Sequence, residues 1–180
     1  MKKNILNKTK VYLVGHMQYA SGRGWREELT PKLKGLGVTV FDPYIKPFVD
    51  DCEEDETARA ALKRCMEMEC YDAVAKRMKT VRNFDLRLCD LSDFIIAHIN
   101  PAVASWGSAE EIVTCVRAKK PIFLSIEGGK KNTPLWIMGM LPHKYIYNNL
   151  DEVFATLQRI DSGEKKIDSD RWKLLQESYR

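Results

Sequence analysis

Residues 100–121, NPAVASWGSAEEIVTCVRAKKP, follow the apolar run FIIAH at 94–98, and the two together read as strand, loop and helix in succession. FIIAH has strand length and no polar residue before its terminal histidine, and Asn100-Pro101 interrupts it. From Ser108 onward Ile112, Cys115 and Val116 recur at the spacing of one helical face. Ser108 followed three residues later by Glu111 has the spacing of a capping box, in which hydroxyl and carboxylate satisfy orphan amides at a helix start. Gly107 and Ser108 equally leave room for a ligand to approach those amides, which favour an anion at the end of a parallel strand. Glu111 is therefore either a cap or a carboxylate turned toward a ligand. Spacing alone favours the cap, since S-x-x-E is a common pattern.

Upstream of this stretch, residues 82–100 (RNFDLRLCDLSDFIIAHIN) place Leu86, Leu88 and Leu91 ahead of the strand, so Asp85 and Asp90 fall on a helix and Asp93 on the turn that follows it. The chain opens with VYLVG at 11–15, a buried-strand run ending in glycine, and continues into the polar loop HMQYASGRGWRE. Trp25, Leu29, Leu33 and Leu36 then recur at helical spacing to a stop at Gly37, with Pro31 expected either to kink this helix or to start a shorter one capped by Thr30. VTVF at 38–41 is a second strand, ended by Asp42-Pro43. Strand, helix, strand at this length is a right-handed parallel crossover.

Between 44 and 80 lies an acidic run, Asp50 to Glu56, leading into one helical stretch over 58–78 whose Met66, Cys70, Ala73 and Val74 are spaced as a buried stripe. No chemistry is assigned to it; it covers the site, builds a subunit contact or is simply core. Downstream, PIFLSI at 121–126 is a fourth strand, Leu135 to Met140 a short helix, Tyr145 to Tyr147 a fifth strand, and Leu150 to Ile160 a closing helix with Val153, Phe154 and Leu157 inward. Alternating strands and helices predict an α/β fold: one doubly wound, five-stranded parallel sheet, flavodoxin- or Rossmann-like, ordered 2-1-3-4-5, with helices on both faces. Both loops leaving strands one and three reach the cleft of such a sheet. Residues 1–160 form the domain; 161–180 form a charged tail with a short amphipathic helix around Trp172, Leu174 and Leu175.

Bulk properties narrow the function. A chain of 180 residues with 44% hydrophobic and 30% charged residues is an ordinary globular domain, and its net charge of +4 comes from dispersed lysines, which implies no nucleic-acid partner. The basic N-terminus carries only the short first strand as an apolar run, without a signal-peptide cleavage pattern, and no stretch is long enough to span a membrane. Five cysteines without a CxxC pair fit a reducing, cytoplasmic setting. His16, His98 and His143 are scattered, so neither a metal nor another cofactor is expected.

The block S-W-G-S-A-E-E-I at 105–112, closing with K-K-P at 119–121, resembles the signature of the nucleoside 2-deoxyribosyltransferase superfamily, including the deoxynucleoside 5′-monophosphate N-glycosidases and the CMP hydrolase branch. The resemblance spans roughly residues 10–150 and implies that Glu111 is the nucleophile. It matches Asp85 to the aspartate that points into the family's site and Asp93 to its structural one. Tyr12 matches the tyrosine that positions the glutamate and the sugar. Gly15, His16 and Met17 fall on the sugar- and phosphate-contacting loop, with serine often standing where His16 does here, and Arg23 could bring a guanidinium to a 5′-phosphate. Ser105, six residues before Glu111, stands where nucleoside transferases carry an aspartate for the free 5′-hydroxyl and nucleotide hydrolases a serine; with Gly107 and Ser108 it would accept a phosphate. Val113 departs from the family's glycine. The region around Trp136 is expected to reach a neighbouring subunit's pocket, giving a homodimer or higher homo-oligomer.

On residues alone, Tyr12 reads as core, Asp85 and Arg23 as exposed, and Leu135, Trp136 and Met138 as core. The resemblance implies instead an enzyme that cleaves the N-glycosidic bond of a deoxynucleoside or its 5′-monophosphate, with Asp85 helping the base depart, by hydrolysis or by transfer to another base. A non-catalytic nucleotide sensor, or a hydrolase of a larger nucleotide such as NAD, uses the same fold.

Overall fold

The computed structural model describes residues 4–17, 20–45 and 54–165. Five parallel strands form one sheet in the order β2-β1-β3-β4-β5, which bears out the expected topology. They are β1 (Lys10–Gly15), β2 (Thr39–Phe41), β3 (Phe94–Ile99), β4 (Ile122–Ile126) and β5 (Ile146–Tyr147). The last is shorter than its sequence suggested, because Tyr145 completes a 3-10 turn from His143. Around the sheet lie α1 (Ala20–Gly35), α2 (Glu56–Glu67), α3 (Tyr71–Leu91), α4 (Trp106–Arg117), α5 (Leu135–Met140) and α6 (Leu150–Asp161).

Strand periodicity divides the core into two layers. Val11, Leu13, Phe94, Ile96 and Phe123 face one side and pack with Leu29 and Leu33 of α1 and Val153 and Leu157 of α6. Tyr12, Val14, Ile95, Ala97 and Leu124 face the other and pack with Cys89 of α3 and Ile112 and Cys115 of α4. This alternation sends the Tyr12 side chain to the α3–α4 face. The Asp93 carboxylate accepts the Lys10 amide at 2.7 Å while the Asp93 amide donates to the Lys10 carbonyl, which fixes the lower ends of β1 and β3 together.

Several local expectations change. Helix α4 begins two residues before Ser108, and Ser105 is its cap, with a hydroxyl that accepts the Ser108 amide at 3.4 Å and lies 2.8 Å from the Ser108 hydroxyl. The capping box is therefore not formed. Helix α1 runs through Pro31, neither restarting there nor using Thr30 as a cap, and ends at Gly35, two residues before Gly37, whose φ of +76° suits glycine. The single helix expected over 58–78 is two, broken where Glu69 takes a left-handed φ of 58°. Its proposed buried stripe is not buried: Met66, Cys70 and Ala73 are exposed and Val74 half-buried. Asp55 caps α2 by accepting the Ala58 amide at 2.7 Å, whereas Asp50, Asp51 and Glu53 lie outside the described residues, as do Trp172, Leu174 and Leu175 of the tail. Leu135, Trp136 and Met138 are likewise not core; Trp136 is 81% exposed.

Candidate functional site

α3 and α4 both descend from the carboxyl ends of the strands toward their amino ends, because each precedes or follows β3 directly. Parallel packing sets equivalent turns level. Asp85 and Glu111 face the same cavity, while Cys89 and Cys115, each four residues and about 6 Å further along its helix, meet in the core beneath them. Above, Arg82 forks onto Glu110 through two hydrogen bonds, its Nε at 2.7 Å from Oε2. Below, Lys120 donates to the Asp90 and Ser92 carbonyls at the end of α3. Two charged clamps thus hold the helices on either side of the carboxylates.

Tyr12 crosses from β1 to this seam. Its hydroxyl donates to Glu111 Oε1 at 2.7 Å, and the ring is 1% exposed. Glu111 itself is 8% exposed. Burial pushes its carboxyl up to about 8, with Asp85 and Glu54 adding to the rise; the Tyr12 hydrogen bond and the Arg26 charge oppose it. Burial, followed by the negative charges of Glu111 and Asp85, holds the Tyr12 phenol well above its ordinary value. Tyr12 thus remains a hydrogen-bond donor at neutral pH.

The cavity over Glu111 and Asp85 has a volume of about 330 Å³ and is floored by Gly15, Met17, Ser105, Gly107 and Ser108. A β-carbon added at Gly107 would meet no protein atom, so the first turn of α4 is open to the cavity. At Gly15 the reason for glycine is different: a β-carbon there would lie 2.7 Å from the His98 carbonyl. The far wall comes from Ala58, Arg59 and Leu62 of α2 and Arg77, Met78 and Val81 of α3. A second space of about 460 Å³ adjoins it at Glu111, Asp85 and Trp106 and extends along Lys79, Arg82 and Glu110.

The structure brings together Glu111, Asp85, Gly15, Met17, Ser105, Gly107 and Ser108 around one cavity, with Tyr12 directly behind Glu111. It does not bring His16 or Arg23 there. His16 is 3% exposed, and its carbonyl accepts from Arg26. Arg23 points outward, paired with Glu27 at 3.3 Å and stacked 5.3 Å from the Tyr44 ring. The loop preceding α1 folds this way because Arg26 is buried within it. That guanidinium is 0% exposed, donates to the carbonyls of Leu13, Gly15, His16 and Gly22, and lies over the Trp25 ring with Asp42 at 3.9 Å. Sequence reading passed over Arg26, although its position three and seven residues before Leu29 and Leu33 put it on the buried face of α1. It also passed over Arg59 and Arg77, in the segment to which no chemistry was assigned. Among the described residues no cluster of His, Cys, Asp and Glu has a metal-binding arrangement, and no helix is long and apolar enough to cross a membrane.

Fold and site together define a doubly wound α/β domain whose cavity opens at the carboxyl ends of β1 and β3, where the strand order reverses, over a pair of carboxylates. No family model and no curated protein matches the chain. Among solved structures, it shares its fold with a 2-deoxyribosyltransferase of the psychrotolerant bacterium Bacillus psychrosaccharolyticus: the TM-score is 0.56 at 21% identity, over 82% of this chain and 95% of that one. A CMP N-glycosidase of Clostridium botulinum superposes at a TM-score of 0.49 with 20% identity, over 84% of this chain and 99% of that one. The resemblance carried by residues 105–121 thus extends to the architecture of the domain.

Proposed function

We propose that the protein is an N-glycosidase or deoxyribosyltransferase acting on a (deoxy)nucleoside 5′-monophosphate or a deoxynucleoside, with Glu111 as nucleophile. The observation that carries this reading is the Tyr12–Glu111 hydrogen bond at the base of a cavity that Asp85 also lines. Breaking the bond between C1′ and the base nitrogen leaves positive charge on the sugar, and a buried carboxylate at that carbon stabilises the charge and captures it as a glycosyl ester. The electron pair of the broken bond goes to the base, to which Asp85 donates a proton. Asp85 then withdraws a proton from water, or from an incoming base, as that nucleophile displaces Glu111 from C1′. Tyr12 holds one Glu111 oxygen and leaves the other to attack.

Burial of Glu111 makes its ionised form costly, so that form is a reactive one once a cationic centre develops beside it. The Ser105 and Ser108 hydroxyls and the open first turn of α4 support a 5′-phosphate more than a 5′-hydroxyl. Exposed Leu135 and Trp136 support a homodimer in which α5 meets a second copy.

The test is chromatography of the protein incubated with nucleosides, their 5′-monophosphates and NAD, with and without a second free base, alongside Glu111→Ala. Free base released from monophosphates by the parent and not by the variant is the expected result, and exchange among nucleosides places the protein on the transferase branch. An absence of turnover, with ligand-induced thermal stabilisation equal in both proteins, would leave a nucleotide-binding protein without catalysis.

A further inference from the structure

The cations that enter the cavity come from α2 and α3. Arg59 and Arg77, both half-buried, line its wall opposite the sheet. Arg59 is oriented: Nε and Nη2 donate to the Glu54 carbonyl at 3.0 and 2.5 Å, which leaves Nη1 outside that pair of bonds. The floor of the same cavity carries Ser105 and Ser108, whose hydroxyls lie 2.8 Å apart. A neutral nucleoside offers these groups one hydroxyl. A phosphate offers three acceptor oxygens and a charge that a planar guanidinium matches with two parallel hydrogen bonds. A half-dried guanidinium also gains more from such an anion than one in open solvent does.

Resting on the N-glycosidic reading above, we infer that Arg77, seconded by Arg59, recognises the 5′-phosphate of the substrate, so that the α2–α3 segment sets the preference for nucleoside 5′-monophosphate over nucleoside. Arg23, the cation the sequence offered for this role, has no part in it, since it points away from the cavity and pairs with Glu27.

The test compares kcat/KM for a deoxynucleoside 5′-monophosphate with that for the same deoxynucleoside in the parent, Arg77→Gln, Arg77→Lys and Arg23→Gln. The ratio is expected to fall roughly tenfold to hundredfold in Arg77→Gln, as for loss of a charge-assisted hydrogen bond. It should recover in part in Arg77→Lys, with the change mainly in KM. Equal losses on both substrates in Arg77→Gln, or a fall of the ratio in Arg23→Gln instead, would overturn the assignment. A second measurement needs no turnover: the rise in melting temperature caused by the monophosphate, against that caused by the nucleoside. An excess for the monophosphate that vanishes in Arg77→Gln supports phosphate recognition even if no base is released, in which case the glycosidase reading alone fails. No excess in the parent overturns the inference while leaving glycosidase activity on nucleosides intact.

Discussion

The floor and the far wall of the cavity are built in opposite ways. Glu111 and Ser108 on the floor and Tyr12 behind Glu111 are all buried, anchored on α4 and β1 in the same layer as Val14, Ile95 and Ile112. Helix α2, which supplies much of the wall, has no buried residue at all. It caps itself through Asp55 and presents to the other described residues a half-buried edge that includes Ala58, Arg59 and Leu62. Reacting groups need a fixed geometry, which only a packed core supplies, whereas recognition tolerates and often requires an element that opens. Substitutions on the floor should therefore act on both chemistry and stability. Those on the wall should act on recognition.

The sharpest contrast is expected at Glu111. Glu111→Ala should lower kcat by about a thousandfold or more, the scale of removing a nucleophile. Glu111→Gln should do the same while making the fold more stable. Between about 4.5, the ordinary value, and about 8 in the folded protein, the folded state holds a proton on Glu111 that the unfolded state has released. Stability therefore falls as pH rises through that window and levels off above it. In Glu111→Gln this loss disappears, so its advantage in melting temperature should grow from pH 5 to pH 8; a constant difference across the range would show that Glu111 is not held protonated.

Next in size is Arg26→Met. It leaves the carbonyls of Gly15 and Gly22 without their buried donor and should cost roughly 3 kcal/mol in chemical denaturation. Tyr12→Phe comes third, with a loss of about ten- to a hundredfold in kcat/KM. Its signature is in the pH profile: the parent's acid limb should follow Glu111, with an apparent value near 8. Removing the hydrogen bond that lowers Glu111 should move that limb to higher pH, and an unmoved limb would detach Tyr12 from the chemistry. The smallest effect belongs to the wall. Leu62→Ala should raise KM a few-fold and change unfolding free energy by less than about 1 kcal/mol; a large loss of stability there would erase the contrast between the two regions.

Strand positions and their order were legible because each strand is a short apolar run punctuated by glycine, proline or aspartate, and consecutive βα units leave few topologies. Tyr12 likewise read as core on residues alone, and it is buried. What misled was local chemistry with more than one satisfactory partner. Ser108 and Glu111 have capping-box spacing, yet Ser105 takes the cap and Glu111 finds Tyr12, 99 positions away in the chain. The helical period over 58–78 is continuous in the sequence, but a left-handed Glu69 divides it, and the apolar stripe stays outside both core clusters of the described residues.

By itself the sequence determined the sheet, its crossovers and the strand-loop-helix unit that carries Glu111, since these follow from hydrophobic period and backbone sterics, which act over a few residues. Only the tertiary structure decided that α3 and α4 descend in parallel so that Asp85 stands level with Glu111, that Arg26 fastens the loop preceding α1, and that Arg59 and Arg77 rather than Arg23 enter the cavity. Each of these depends on which side chain best satisfies a buried charge or carbonyl. That competition is settled by distance in space, to which spacing along the chain gives no access.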